Sequence, residues 1–431
     1  MTFIERIESK QIGICVIGLG YVGLPLAVAF ARAGFSVCGY DSNDEKVASM
    51  VQGDSGLEHF KFDEYKDLLG KNLSLFNPAS FPIRSKYDVL IICVPTPLTK
   101  NRDPELKYVE AAAMFAGAHL KKGGAVILES TTYPGTTFER VKPVVEITSR
   151  FKAGIDFSLG YSPERQDPGN QHFDTVNIPK VVGGMTSECK ENISALYRSA
   201  LEKVIPVSSL EVAEMVKLLE NIYRFVNIAL VNELKLLCDK MDIDIWEVVE
   251  AASTKPFGFQ SFKPGPGASG HCLALDPFYL TWRAKRVGMS TKFIEMAGEI
   301  NNYMPYYAIE KLRDALDRQG KSLNGATIFI LGIAYKKNIG DTRESPFFKI
   351  ANILKDKNVS IIWNDPFVSL LHLDLANVHP CSLENGLEQS DVTLILTDHD
   401  NVDYDLVLEK SKAIVDTRNV FKGNNNKVIK A

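Results

Sequence analysis

No apolar run in the 431 residues approaches the roughly 20 that a membrane-spanning helix needs, and the first, Ile12 to Ile17, is strand-sized. Met1 to Lys10 is mixed and charged, without an apolar stretch ahead of a small-residue cleavage site, so no export signal is expected. Basic residues are not in excess: 49 Lys and Arg face 53 Asp and Glu, for a formal net charge of −4. A nucleic-acid footprint needs a basic stripe, so that class is excluded. Cysteine is sparse and odd in number, seven in all, with neither CxxC nor Cys/His metal spacing. That argues against disulfides and against a bound metal, and fits a cytoplasmic protein. Fixed-period repeats and low-complexity tracts are also missing. What is left is an ordinary globular composition, 45% hydrophobic and 24% charged, long enough for two or three domains.

Gln11 to Ile17 reads as a buried parallel strand running into Gly18-Leu-Gly20-Tyr21-Val22-Gly23, then a helix from about Tyr21 to Ala33. Phe35 to Tyr40 is a second strand, closing on Asp41. This is the βαβ setting in which GxGxxG means a dinucleotide site. Gly18 makes the turn, Gly20 admits the pyrophosphate, Gly23 lets helix pack on strand, and the helix start presents N–H groups to phosphate. Asp41, 23 residues after Gly18, is placed to accept from a ribose 2′-hydroxyl and to repel a 2′-phosphate. NAD is therefore favoured over NADP.

Further strands at Val89–Val94, Ala125–Glu129 and Phe157–Tyr161 each end in a polar or proline-rich loop. In an open parallel sheet the ligand lies beyond the carboxyl ends of the strands, which nominates Thr96, Thr131, Glu164 and Arg165. From Glu211 to Met241 the chain is helical in period and free of Gly and Pro. Lys217 and Asn221 are four apart there, hence on one face, within Val216, Leu218, Leu219, Ile222 and Tyr223. A lysine on a helix is usually a solvated stripe; apolar neighbours instead suggest burial, which would fit it to acid/base work. Helices at Ile245–Ala252, Pro277–Val287 and Phe293–Ala315 complete an all-helical middle.

The last third returns to α/β, with strands at Ala326–Ile333, Ser360–Trp363, Asp391–Leu396 and Ala413–Val415. The loop after the first of them carries Lys336 and Lys337 and lacks GxGxxG, so it suits a nucleotide diphosphate but not a second NAD. Between the helices lies Lys263-Pro-Gly265-Pro-Gly267-Ala-Ser-Gly270-His-Cys272, with Asp276 four residues on. A glycine-rich loop is a poor place for a structural thiol and a good one for presenting a thiolate to a phosphate ester; a surface loop with an incidental cysteine is the plain alternative.

Taken together these segments resemble the UDP-glucose/GDP-mannose dehydrogenase family, from about Ile12 to Arg418. The resemblance rests on Gly18 to Gly23, Val94-Pro-Thr-Pro97, Glu129-Ser-Thr131, Ser162-Pro-Glu164-Arg165, Lys217 with Asn221, Gly270-His-Cys272 with Asp276, and Gly340-Asp-Thr-Arg343-Glu-Ser345. It implies a Rossmann-type NAD domain (1–208), a helical middle (209–318) through which a homodimer forms, and an α/β UDP-binding domain (319–431). It also implies a four-electron oxidation of a sugar C6 alcohol with two NAD in turn. Cys272 would capture the aldehyde as a thiohemiacetal that becomes a thioester. Lys217 and Asn221 would hold the oxyanion; Glu164, Asp276 and a water near Thr131 would serve proton transfer and hydrolysis. The implied cofactor set is Gly18, Gly20, Tyr21, Val22, Gly23, Asp41, Lys46, Thr96, Thr131 and Arg343. The implied substrate set is Glu164, Arg165, Lys217, Asn221, Phe262, Gly265, Gly267, Gly270 and Lys336.

Gly270-His271-Cys272 and Lys255 to Phe262 look like the branch acting on UDP-N-acetylhexosamines, UDP-N-acetylglucosamine above all, with UDP-N-acetylmannosamine or UDP-glucose as alternatives. Ser269 stands where a glycine is usual and Ala274 where a proline is common. Two competing readings remain: a two-electron hydroxyacid dehydrogenase, and a non-catalytic NAD-binding module. Neither uses Lys217, Glu164 and Cys272 together.

Overall fold

The computed structural model describes every residue except 58–59, 100–102, 167–171, 370–377 and 424; for His271, Cys272 and Ala274 it describes the backbone alone. The chain divides into two compact units, Met1–Glu220 with Phe278–Met289, and Asn221–Pro277 with Ser290–Ala431.

In the first unit, eight strands among the described residues form one sheet: β1 Gly13–Ile17, β2 Ser36–Tyr40, β3 Leu73–Phe76, β4 Tyr87–Ile92, β5 Leu120–Leu128, β6 Phe157–Tyr161, β7 Lys180–Gly184 and β8 Val204–Pro206. Their order is β3-β2-β1-β4-β5-β6-β7-β8, parallel except for the antiparallel pair β6–β7. Strands covered on both faces must be apolar throughout, and Ile14 to Ile17, Val89 to Ile92 and Ala125 to Leu128 are all buried. The helix Gly23–Arg32 is buried from Gly23 to Ala31, as its lack of a polar face requires. Because β1 has β2 on one side and β4 on the other, the loops after β1 and β4 diverge and leave a crevice at the strand ends. The loop carrying Gly18 to Gly23 opens there.

In the second unit, six described strands, β9 Thr327–Leu331, β10 Ser360–Asn364, β11 Val378–Pro380, β12 Val392–Ile395, β13 Ile414–Asp416 and β14 Val428–Lys430, run in the order β11-β10-β9-β12-β13-β14. All are parallel, so this half-size sheet repeats the strand order of the first, with β9 at its switch point. The pattern was not legible in advance because β11 and β14 are three residues each, too short for a hydrophobic period.

The helical expectations hold at Leu210–Lys240, Ile245–Ala252 and Lys292–Asp317. One does not. The helix placed at Pro277–Val287 runs instead from His271 to Arg286, with Pro277 inside it, so Cys272 and Asp276 belong to a helix and not to the glycine loop. A proline forfeits one main-chain bond, which made Pro277 look like a start; the turn ahead of it forms regardless, behind Gly270 at φ +91°. Among the described residues no helix is long and apolar enough to cross a membrane.

Candidate active site

The cradle at the end of β1 is shaped by close approaches. Gly18 sits at φ +95°, and a Cβ there would lie 2.5 Å from the Cys93 carbonyl oxygen; a Cβ on Gly23 would lie 1.8 Å from that of Gly18. A Cβ on Gly20 would meet nothing within 4 Å, so that stretch of backbone is open to a pyrophosphate. The carboxylate of Asp41 accepts from Leu19 N–H at 2.9 Å and from Asn43 N–H at 3.0 Å, with the Lys46 ammonium 2.7 Å away. Burial works to raise the Asp41 pKa, but Lys46 and the two N–H groups outweigh it and hold the group below the ordinary carboxylate range. An ionised acid at the end of β2, joined to the glycine loop, fits the ribose of NAD. Tyr21 and Val22 occupy the turn before the helix, with Val22 as its N-cap.

Beyond β4 and β5, Thr96 Oγ1 donates to the Thr131 carbonyl at 2.8 Å, and the buried Tyr279 hydroxyl donates to the Thr96 carbonyl. The loop after Thr131 is fastened from behind by Glu214. That fully buried carboxylate accepts from Gly135 N–H (2.5 Å), Thr137 N–H (2.9 Å) and Thr137 Oγ1 (2.7 Å), and burial pushes it up to about 7. Lys217, one turn further along the same helix, is buried at 9% exposure. Its expected apolar surround is only partial, since Leu218 is buried whereas Leu219 is 59% and Tyr223 48% exposed.

Glu164 is buried, and both its oxygens are engaged: Oε1 accepts from Arg165 and Gln166 N–H at 2.7 Å each, and Oε2 accepts from Lys180 Nζ at 3.2 Å. Lys180 also donates to Glu129 Oε2 at 2.5 Å, and the Tyr197 hydroxyl donates to the other oxygen of Glu129. Burial pushes Glu129 up to about 7; it pushes Glu164 the same way, but Lys180 and the two N–H groups more than reverse it. Lys180 and Tyr197 were not nominated from the sequence, where a lysine opening a strand and a tyrosine in a helix give no signal. Arg165, nominated for substrate, pairs its guanidinium with Glu220 (2.6 Å) and donates to the Pro179 carbonyl (2.8 Å).

In the second unit, Asn221 Nδ2 donates to the carboxylate of Asp276, which is 4% exposed. Cys272 lies one turn before Asp276 on the helix backbone; its side chain is outside the described residues. The glycine loop is held. Gly265 N–H donates to Asn232 Oδ1 at 2.9 Å, and Asn232 Nδ2 donates to Asn301 at 3.0 Å. A Cβ at Gly265 would stand 2.8 Å from the Arg418 guanidinium, one at Gly267 2.8 Å from the Asn301 carbonyl oxygen, and one at Gly270 3.0 Å from the Tyr335 ring. The Phe262 ring packs edge-on to Tyr223, centroids 5.8 Å apart.

The loop after β9 carries half-buried Lys336 and exposed Arg343, whose guanidinium forks onto Asp341 at 2.6–3.1 Å. Its start is fixed by Asp365, just past β10, which accepts from Ile333 N–H (2.7 Å) and Ala334 N–H (2.9 Å). Asp365 thus holds the place that Asp41 holds in the first sheet. It differs in being closed off by His399, buried at 3.0 Å, whose Nδ1 accepts from Asn338 N–H at 3.0 Å. With Phe367 N–H on its other oxygen at 2.9 Å, Asp365 is engaged in holding the loop. Among the described residues no group of three or more His, Cys, Asp and Glu could hold a metal ion.

Comparison with known proteins matches this arrangement over nearly the whole chain. The NAD-binding domain of the UDP-glucose/GDP-mannose dehydrogenase family matches residues 12–201, the family's central domain 211–303 and its UDP-binding domain 329–423. UDP-N-acetyl-D-glucosamine 6-dehydrogenase of Pseudomonas aeruginosa is 38% identical over 84% of each chain. UDP-N-acetyl-D-mannosamine dehydrogenase of Pyrococcus horikoshii is 35% identical over 95% of this chain and 96% of its own. A solved structure of the Pyrococcus horikoshii UDP-D-ManNAc dehydrogenase superposes with a TM-score of 0.86 at 34% identity, covering 97% of this chain and 98% of that one. The chain belongs to the UDP-glucose/GDP-mannose dehydrogenase family and is an NAD-dependent UDP-sugar dehydrogenase.

Proposed function

We propose that the protein oxidises the C6 hydroxyl of a UDP-N-acetylhexosamine, UDP-N-acetylglucosamine first among them, to the uronic acid, as a step toward surface polysaccharide. The observation that carries the reading is the Asn221–Asp276 bond, one helical turn from Cys272. It joins a polarising amide and a carboxylate one turn along the backbone from a cysteine at a helix start. A helix N-terminus lowers a thiol pKa and favours the thiolate.

When bound, NAD supplies the hydride acceptor, once for each of two oxidations. In the first, Lys217 and Asn221 hold the oxygen at C6 as its proton passes to the Asp276 carboxylate and hydride leaves the carbon. The Cys272 thiolate then adds to the aldehyde carbon, giving a thiohemiacetal that cannot leave the site. Loss of the second hydride from that carbon leaves a thioester. Water attacks the acyl carbon, the carbon–sulfur bond breaks, the water proton passes to Glu164 and sulfur departs as thiolate. Lys336 and the loop from Phe262 to Gly270 grip the UDP, and Arg343 serves the nicotinamide side.

We assign three functional domains, 1–208 for NAD, 209–318 for dimerisation and 319–431 for UDP, in a cytoplasmic homodimer. The dimer reading is supported by Leu230, Leu234 and Leu237 on the long helix, Met241 just past its end, and Phe293 and Met296 on Lys292–Asp317, which leave 38–82% of their surface exposed. Relatives bearing the glucosamine and the mannosamine name are similarly close, so the epimer is tested directly. NADH release is measured over UDP-N-acetylglucosamine, UDP-N-acetylgalactosamine, UDP-N-acetylmannosamine and UDP-glucose. Two NADH per UDP-N-acetylglucosamine, at the highest kcat/KM of the four, is expected. A preference for UDP-glucose would overturn the substrate, and one NADH per sugar the four-electron reaction.

A further inference from the structure

Of the buried charge cluster in the first unit, only Glu164 has a role in the steps above; Lys180 and Glu129 have none. Lys180 opens β7 at 1% exposure, and its ammonium lies between two carboxylates, 2.5 Å from Glu129 and 3.2 Å from Glu164. One cation against two acids leaves a surplus negative charge in a buried site whose one partly open member is Glu164. An arrangement of that kind is a poor way to gain stability, because desolvating the ions costs about as much as their attraction returns. A lone pair of apolar residues would hold β5 and β7 together as well.

The surroundings decide where the surplus is relieved. Glu164 receives three donors, Lys180 and the N–H groups of Arg165 and Gln166. Glu129, deeper at 1% exposure, receives Lys180 and the Tyr197 hydroxyl from helix Ser187–Arg198. The Cys93 thiol after β4 also borders the acids, its pKa raised by burial and then by Glu129. The neighbouring Arg165 is occupied by Glu220. Protonation in the neutral range therefore falls on Glu129, pushed up to about 7 by burial, while Glu164 stays ionised.

We propose that Lys180 is a positioning residue that, poised between Glu129 and Glu164, keeps Glu164 an ionised, fixed carboxylate ready to take a proton from the hydrolytic water. This rests on the reading of Glu164 as that base, and it leaves Glu129 to take the proton that relieves the surplus charge. The two acids then titrate apart, Glu129 first. Losing the cation must raise the pH at which Glu164 works, whereas Glu129, already protonated where Glu164 titrates, can be neutralised without moving it.

The test is quenched-flow decay of the acyl-enzyme against pH in the full-length protein, with NAD affinity measured alongside. Lys180→Met is expected to move the acid limb of hydrolysis up by about one pH unit and to slow decay about tenfold below it. Lys180→Arg and Glu129→Gln should both keep the native limb, all with NAD affinity unchanged. Should Lys180→Met fail to fold, Lys180→Gln, which removes the charge and keeps a hydrogen-bond donor, takes its place. An acid limb that stays put in Lys180→Met or Lys180→Gln overturns the inference, provided Glu164→Gln abolishes hydrolysis. Native hydrolysis in Glu164→Gln overturns instead the reading of Glu164 on which it rests.

Discussion

Asn221 donates its side-chain amide to Asp276, and the bond fixes which end of the amide is nitrogen. An amide has two N–H donors, and with one committed to a buried carboxylate the other keeps a set direction for an oxyanion. Asp276→Asn should free the amide to turn and lower kcat about a hundredfold, with little change in NAD affinity. Asn221→Asp should be worse at high pH than at low, because two carboxylates in contact must share a proton to coexist. Steady-state kinetics from pH 6 to 9 distinguishes these outcomes; equal losses at all pH values in Asn221→Asp would show that the pair does not titrate.

Cofactor choice turns on Asp41. Its carboxylate is tied to Leu19 N–H and to Lys46, so it is present as a fixed negative charge before any ligand arrives. Asp41→Ala should narrow the preference for NAD over NADP by at least about tenfold, since it removes the repulsion and leaves Lys46 free to meet a 2′-phosphate. The ratio of kcat/KM for the two cofactors is the measurement. A native ratio in the variant would take Asp41 out of that role.

Glu214 makes a prediction about stability. Burial pushes its folded pKa up to about 7, above the ordinary value of 4.5. Between those values the folded chain holds a proton that the unfolded chain has shed, so this group's contribution to stability falls as the pH rises through the window. Urea unfolding at pH 5 and pH 7 should therefore show a smaller loss on raising the pH in Glu214→Gln than in the native chain. Identical slopes would mean that the three donors at Gly135 and Thr137 hold the acid ionised after all.

How much of this was written in the chain depends on range. The glycine turn, the strand before it and Asp41 lie within 30 residues, and their geometry follows from local backbone demands. The burial of the first sheet's early strands on both faces follows from their continuous apolar runs. The Lys180 cluster was hidden because Glu129, Glu164, Lys180 and Tyr197 meet only after β5, β6 and β7 pair, and a polar residue's partner has no sequence period. The glycine loop was legible in part. Gly265, Gly267 and Gly270 read as room for a phosphate ester, and each also sits where a side chain would strike Arg418, Asn301 or Tyr335. Position 271 is helix because the turn behind Gly270 forms ahead of Pro277, which by itself reads as a helix start.

The last prediction concerns Cys272. An alcohol taken to an acid must pass through an aldehyde, and an unheld aldehyde can diffuse away between two hydride transfers. A thiolate prevents this by making the intermediate covalent. The other six cysteines are badly placed for the task. Cys15 and Cys38 lie buried in β1 and β2, Cys189 and Cys238 in helices, and burial raises the thiols of Cys93 and of Cys381, the latter to about 11. Cys272 alone lies in the first turn of a helix behind a glycine loop, one turn from Asp276. Cys272→Ala should lose acid formation by at least about a thousandfold while keeping NAD and UDP-sugar affinity within about threefold. In Glu164→Gln the thioester should accumulate, and mass spectrometry of the quenched enzyme should find the sugar acyl group on the peptide containing Cys272. A Cys272→Ala enzyme that still releases two NADH per sugar at the native rate would refute the covalent route and leave the glycine loop a role in binding only.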